Sequence, residues 1–557
     1  MSNLNVAELL KQQATQQPHA LAIAEPIAGR WNRRELALDQ RYRCMTFQQL
    51  DEDSSRLAAG LQAMEIKPGT RLALMIPPSC EFVSWVFALF KAGVVTVLID
   101  PGMGRKNMIH CLQRVQTEGF IGISLVQAIR TLLRFKFPAA RKNVTVGKRW
   151  FWGGPTAAQL RQTSLSDFTP FQAAASDSAA IIFTTGSTGP PKGVHYCHQN
   201  FYHQVLQIQQ QYNIEVGEKD LPAFPLFGLF NAAMGVTTIL PDMDPTRPAN
   251  VTPDNIITPI QDWEISQSFG SPALWETVGR YCETQDIQMP SLRRVLSAGA
   301  PVPPRVLQRI RNAMAPDGEM HTPYGATESL PVASISATEV LEETAAKSAT
   351  GRGTCVGEHF PGIEWRVIEI QDGALADIED ARQLPDGEIG ELIVRGPVVT
   401  SHYVTHEKET RLHKINDGDS FWHRMGDVGY LDDMERFWFC GRKSHRVQLA
   451  DRTLFTIPTE AIFNQHPKIY RSAVVRVEDK GVAEAAIIVE CWEEFRAMEA
   501  AEKTHLVEEL KELAENHALT SCIKHVLIRD ALPVDIRHNA KIFREKLAVW
   551  AQEKLGL

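Results

Sequence analysis

Several absences narrow this sequence before any motif is read. The nine cysteines (44, 80, 111, 197, 282, 355, 440, 491 and 522) are scattered, odd in number and never spaced C-x-x-C. That argues against a disulfide framework or a structural zinc site, and for a reducing compartment. The N-terminal stretch MSNLNVAELLKQQATQQ has no basic segment followed by an apolar one, so no signal peptide is read and a cytoplasmic setting is the default. No apolar run is both long and unbroken enough for a transmembrane segment: 82–99 is interrupted by Lys91-Ala92-Gly93, and 223–240 carries Pro225, Gly228, Asn231 and Gly235. Both read as core, the first as a buried helix followed by the β-rich Val94-Val95-Thr96-Val97-Leu98-Ile99. Fixed-period repeats and low-complexity tracts are missing too. A net charge of −8 supplies no basic balance that would call for nucleic acid as a partner.

What is present is a chain of 557 residues, 44% hydrophobic and 22% charged, too long for one ordinary core and balanced like a soluble globular protein. Strand-length apolar runs such as Arg71-Leu72-Ala73-Leu74-Met75-Ile76, Ala179-Ala180-Ile181-Ile182-Phe183 and Arg294-Val295-Leu296-Ser297 alternate with helical periodicity such as 50–64. This predicts an α/β fold of layered subdomains with mostly parallel sheets. Around 390–440 the texture turns to short β-rich pieces broken by Gly and Asp, which reads as a small β subdomain. After Gly441-Arg442 the pattern resets, with strand candidates at 471–477 and 485–490 and an amphipathic helix over 495–518. The expected division is therefore a large N-terminal domain, 1–440, and a small α+β C-terminal domain, 441–557. The basic stretch 130–149 reads as a solvated face, with a docking role as the alternative.

The strongest local signal is Thr184-Thr185-Gly186-Ser187-Thr188-Gly189-Pro190-Pro191-Lys192-Gly193, placed directly after an apolar strand. Glycines let several backbone N–H groups converge on one anion, hydroxyls add donors, and a lysine supplies a point charge. The composition suits a polyphosphate. It lacks the spacing of a Walker A loop. His195, His198 and His203 follow closely, but their H-x-x-H-x-x-x-x-H spacing does not fit a metal-binding helix, so substrate-pocket or packing roles are expected for them.

Five further segments follow in order, and with the loop they resemble the acyl-adenylate-forming superfamily of acyl-CoA synthetases, peptide-synthetase adenylation domains and luciferases. Leu296-Ser297-Ala298-Gly299-Ala300-Pro301 is similar to the segment lining the adenine pocket, and Tyr324-Gly325-Ala326-Thr327-Glu328 to the family's Tyr-Gly-x-Thr-Glu. Gly426-Asp427 resembles the ribose-binding aspartate, Gly441-Arg442 the arginine opening the interdomain hinge, and Asn539-Ala540-Lys541-Ile542-Phe543-Arg544 the lysine-bearing Gly-Lys-Ile-x-Arg. The resemblance implies activation of a carboxylic acid by ATP and Mg²⁺. Thr184, Thr185, Gly186, Ser187, Thr188, Gly189 and Lys192 would hold the departing pyrophosphate. Gly299, Ala300, Pro301, Tyr324 and Gly325 would hold the adenine, Thr327 the α-phosphate, Asp427 the ribose and Glu328 the metal, with Arg442 at the hinge. Lys541 would bridge substrate carboxylate and α-phosphate. The chemistry is positioning plus charge stabilisation, since a carboxylate must attack an anionic phosphorus. A mobile C-terminal domain is implied as well.

The acceptor half departs from the thiol-using members. Ser444 stands where they carry Asp or Lys, Asp451 where they carry glycine, and the segment 451–460 is longer than the usual run. A carboxylate there would repel a pantetheine phosphate. The chain resembles instead the olefin β-lactone synthetases of bacterial hydrocarbon biosynthesis, on 184–200, on Met243-Asp244-Pro245-Thr246-Arg247-Pro248-Ala249, on 322–328 and on 535–542. That implies a long-chain 2-alkyl-3-hydroxyalkanoic acid as substrate, closure to a β-lactone without an external acceptor, and other enzymes of the olefin pathway as partners. No base for the β-hydroxyl is identified. The apolar run 224–230 with Ala232, Ala233, Met234 and Gly235 is read equally as acyl pocket or as core. A fatty acyl-CoA synthetase or acyl-AMP ligase, and a silent adenylate-binding scaffold, are the alternatives.

Overall fold

The computed structural model describes residues 3–184, 191–224, 228–534 and 542–557. Five parallel strands, in the order Val144–Val146, Gly119–Ile123, Arg71–Met75, Val95–Leu98 and Ser178–Phe183, are flanked at one edge by the antiparallel Gly193–Cys197. The interrupted run 82–99 divides as its sequence predicts. Ser79 caps the helix Cys80–Lys91 by accepting from the Phe82 N–H at 3.1 Å, and every residue of that helix except Glu81 is buried. Gly93 then turns the chain at φ +67°, where a side chain would strike the Phe171 ring, and Val95–Leu98 begins. Buried Lys91 is satisfied by Asp51 at 2.6 Å and by the hydroxyls of Ser54 and Ser55.

A second, nine-stranded sheet has a parallel centre, Glu319–Ala326, Arg294–Ser297, Gln267–Gly270, Lys219–Pro222, Thr237–Ile239 and Leu21–Pro26, with antiparallel strands added at both edges. The helix His198–Gln211 contributes to the main core, where Phe90, Phe201 and Phe230 pack ring against ring at 5.4 and 5.3 Å. The mostly parallel α/β reading therefore holds for both sheets.

The β subdomain is an antiparallel sheet built on Glu364–Ile368, Gly390–Arg395, Ser420–Leu431 and Phe437–Arg442. Here the expectation of short broken pieces needs correction. Gly426-Asp427-Val428-Gly429 lies inside one continuous strand, as an irregularity where the register against Phe437–Arg442 shifts between Val428 and Gly429. The proposed boundary at 441 falls within Phe437–Arg442.

Beyond it, Ile469–Asp479 and Val482–Cys491 pair antiparallel, and His525–Ile528 joins parallel. Strand alternation sends Val474 toward the helix Ala500–Glu515, through Leu506 and Leu510, and Val475 and Val477 toward Arg544–Leu555, through Leu547 and Ala551. The amphipathic helix read over 495–518 is shorter. It begins at Ala500, where Glu499 forms a capping box with Glu502, and Glu493–Phe495 makes a separate 3₁₀ turn.

Candidate active site

Thr184 and Lys192 face each other across the neck of the phosphate loop: the Thr184 N–H donates to the Lys192 carbonyl at 3.0 Å, and the Lys192 N–H to the Thr184 hydroxyl at 3.2 Å. Residues 399–405 are laid along the strand that follows. The His195 N–H donates to the His402 carbonyl and the Val404 N–H to the Gly193 carbonyl, while the Thr400 N–H reaches the Glu328 carbonyl at 2.9 Å. This segment ties the phosphate-loop strand to the hairpin turn that carries Thr327 and Glu328. Its Tyr403 donates to Glu328 Oε1 at 2.7 Å, and its ring centroid lies 5.2 Å from Lys192 Nζ. Lys192 also forms an ion pair with Glu409, on the helix Glu407–His413. Burial raises the Glu409 carboxyl, but the Lys192 ammonium outweighs it and holds Glu409 below the usual carboxylate range.

Tyr324, Asp427 and Arg442 form a second cluster. Asp427 and Arg442 are register partners on adjacent strands, and the guanidinium donates to Asp427 Oδ1 at 2.7 Å and to the Met425 carbonyl at 3.0 Å. The other oxygen, Oδ2, accepts a short bond from the Tyr324 hydroxyl. Burial first, then the Asp427 charge, drives the Tyr324 phenol well above its ordinary value, so it remains a donor. The Arg442 guanidinium is raised by Asp427 before all else, with smaller contributions from Tyr324 and Glu328. Tyr403 in turn feels Glu328, Glu409 and Arg442. The two clusters are therefore close enough to influence each other electrostatically. Gly299, at φ +96°, starts the turn after Arg294–Ser297, beside the strand that carries Tyr324, with Ala300 half-buried and Pro301 and Gly325 exposed.

Of the remaining residues read from sequence, Thr185, Gly186, Ser187, Thr188, Gly189 and Lys541 lie outside the described residues. His195 and His198 pack against other rings. His198 is fully buried between Phe90 and Phe171, and burial lowers its imidazole to about 4. His195 stacks on His402 at 4.4 Å, and its Nε2 lies 2.8 Å from the Ser178 hydroxyl. The Glu328 carboxylate, which accepts from Tyr403, is a hard oxygen donor of the kind Mg²⁺ takes. Tyr403 and Glu409 were not found from sequence; neither belongs to a motif, and nothing local marks them.

An apolar cavity lies against the strand that carries Tyr324, which lends it Pro323. Val205, Tyr212, Phe230, Met234, Leu296 and Pro331 line it, so Phe230, Asn231 and Met234 of the ambiguous 224–235 run border a cavity, and Phe230 and Met234 also belong to the core together with Leu229, Ala232 and Ala233. Residues 225–227 lie outside the described residues. Asp220 also borders the cavity, fully buried, with the Asn231 amide donating to its Oδ2 at 2.7 Å. It sits in register with Gln267 and, through it, Arg294, three positions before Ser297, or about 10 Å from the end of the sheet where the clusters lie.

A Gly- and hydroxyl-rich segment following a strand, an aromatic hydroxyl and an arginine sharing one aspartate, and a lysine ion-paired at the end of that segment are features of a nucleotide-using enzyme. The chain belongs to the AMP-binding enzyme family, whose pattern matches residues 10–404. Over nearly its whole length it is 43% identical to the olefin β-lactone synthetase of Stenotrophomonas maltophilia (99% of this chain, 98% of that protein) and 42% identical to that of Xanthomonas campestris pv. campestris (99% and 98%). Its fold is also that of ATP-bound MatB from Rhodopseudomonas palustris, with a TM-score of 0.76 at 18% identity and 99% of each chain covered.

Proposed function

We propose that this protein is an ATP-dependent, AMP-forming β-lactone synthetase acting on a long-chain 2-alkyl-3-hydroxyalkanoic acid. The observation that carries the reading is the identity of 42–43%, sustained over the full chain, to two olefin β-lactone synthetases. The apolar cavity beside the Tyr324 strand, suited to an alkyl chain, supports it.

In this reading a carboxylate oxygen attacks the α-phosphorus of ATP and pyrophosphate departs. Lys192 and the 184–189 loop take the leaving pyrophosphate, and Glu409 must release Lys192 for this to happen. Asp427 receives the ribose hydroxyls, Tyr324 and the 299–301 turn flank the adenine, Thr327 meets the α-phosphate, and Lys541 neutralises the two anions as they approach. Glu328 would hold Mg²⁺, whose contribution is charge neutralisation on the phosphates. The β-hydroxyl oxygen then attacks the acyl carbonyl carbon, its proton leaves, and the acyl–oxygen bond to AMP breaks to close the four-membered ring. Intramolecular attack gains from proximity, and the activated mixed anhydride offsets the ring strain.

The C-terminal domain, on this reading, moves between the two half-reactions. The residues after Arg442 are anchored to the β subdomain by Lys443 on buried Glu391 at 2.9 Å and by Arg446 on Asp372 at 2.7 Å, contacts that such a movement has to release.

The test is product analysis with Mg-ATP and a synthetic 2-alkyl-3-hydroxy acid, with and without CoA. A β-lactone and AMP formed without CoA is the expected outcome. An acyl-CoA formed only when CoA is added, with no lactone, would return the chain to the acyl-CoA synthetases.

A further inference from the structure

The helix Ser124–Leu132 is inverted relative to an ordinary surface helix. Its buried position is polar: Gln127 is fully buried and donates to the Phe120 and Val144 carbonyls at 2.9 and 2.8 Å. Its outward positions are apolar, with Leu125, Ile129 and Leu132, spaced i, i+4, i+7 on one face, 59%, 48% and 71% exposed. Phe135 extends the same surface. The neighbouring loop is joined to the helix by the Ser124 hydroxyl, which donates to the Lys148 carbonyl, and it exposes Trp150 and Phe151. Both rings pack on buried Trp152, which is pinned by its Nε1–H to the Thr145 hydroxyl at 2.8 Å. Among the described residues fourteen large apolar side chains are exposed, and six of them fall within 125–151. Such concentration marks a contact surface.

Charge identifies what covers it. Although the protein is acidic overall, residues 119–166 contain no Asp or Glu and eight Lys or Arg. Arg134, Arg141, Lys148 and Arg149 are exposed, and Lys136 Nζ lies 5.9 Å from the Phe135 ring centroid. Aromatic and branched apolar tips among basic side chains match the boundary of a bilayer with anionic headgroups, where rings sit at headgroup depth and cations meet phosphates. Among the described residues no helix is long and apolar enough to cross a membrane, so the contact is a surface one.

We propose that the helix Ser124–Leu132 and the loop 147–151 dock this protein on an anionic phospholipid bilayer, with Leu125, Ile129, Leu132, Phe135, Trp150 and Phe151 entering the headgroup boundary. The inference rests on this surface alone, whatever acid the site activates. The test is sedimentation of the full-length protein with vesicles of phosphatidylcholine, or of phosphatidylcholine containing phosphatidylglycerol, at low and high salt. Wild type pellets with the phosphatidylglycerol vesicles, less so at high salt. The combined variant Leu132→Gln, Trp150→Ser, Phe151→Ser loses most of the bound fraction, and Arg134→Gln, Lys148→Gln, Arg149→Gln loses the preference for anionic lipid. Pyrophosphate release with a water-soluble acid stays at the wild-type level in both, which separates lost docking from lost folding. Wild type remaining in the supernatant with both vesicles overturns the proposal, as does equal binding to both lipids or variants that pellet like wild type. A patch variant that turns a wild-type oligomer into a monomer, without any vesicle binding by wild type, assigns the face to a second copy and also overturns it.

Discussion

Two neighbouring charge clusters are built on opposite principles. In one, the Asp427 carboxylate has both oxygens occupied, by Tyr324 and by Arg442, and its side chain is only 7% exposed. In the other, Lys192 and Glu409 neutralise each other with 22% and 31% of their side chains in solvent. The first is a cradle whose geometry is complete before a ligand arrives, held by cross-strand register. The second is a cation kept in place by a carboxylate that an incoming polyphosphate can displace. On the proposed reading, in which this site binds and then releases pyrophosphate, one fixed wall and one exchangeable one serve both steps.

The largest effect that would sharpen this contrast is at Lys192. Lys192→Ala is expected to lower acid-dependent pyrophosphate release by about 10²–10³-fold, the usual cost of deleting a group that meets developing charge, whereas Glu409→Gln should tighten apparent ATP binding by up to about fivefold, because a half-exposed pair worth under about 1 kcal/mol no longer competes. Both are read from pyrophosphate release against ATP concentration; weaker ATP binding in Glu409→Gln would break the exchangeable half of the comparison.

Next in size, Asp427→Asn should weaken ATP binding by roughly tenfold, the cost of losing charge-assisted hydrogen bonds. Glu409→Gln and Asp427→Asn thus move the same titration in opposite directions. Shifts of the same sign would mean that the two clusters do not differ in the way described.

The smallest effect concerns Asp220, buried at the border of the cavity. Burial raises its carboxyl to about 7, against the side-chain bond from Asn231 that lowers it. An unfolded aspartate ionises near 3.8 while the folded one keeps its proton until about pH 7, so the wild-type fold loses stability as pH rises across that window. Asp220→Asn removes this dependence. Its melting temperature should exceed that of wild type by a margin that grows from pH 5 to pH 8, and a margin that shrinks would place a charged partner beside Asp220.

The motifs that the sequence offers for a nucleotide stand out because each is a short continuous string whose chemistry is local: glycines and hydroxyls before Lys192, a tyrosine and a carboxylate within five residues at 324–328. The split of 82–99 was legible for the same reason, since Lys91-Ala92-Gly93 interrupts both helix and strand patterns. The long strand Ser420–Leu431 was not, because Gly426 and Gly429 break a sequence pattern without breaking a strand whose hydrogen bonds come from its neighbours. The charge of the run 130–149, which reads as a solvated face or alternatively a docking one, is visible in the sequence, but the outward turn of Leu125, Ile129 and Leu132 depends on which side of the helix Gln127 bonds to the sheet edge.

By itself the sequence determined the α/β class and the identity of the charged groups, because those follow from local periodicity and from residue type. Only the tertiary structure decided that Tyr403 joins Lys192 to Glu328, that Glu409 masks Lys192, and that Asp427 meets Tyr324 and Arg442. Those contacts join residues far apart in the chain through strand register and the lay of 399–405, and electrostatic pairing of that kind depends on distance in space, which spacing along the chain does not encode.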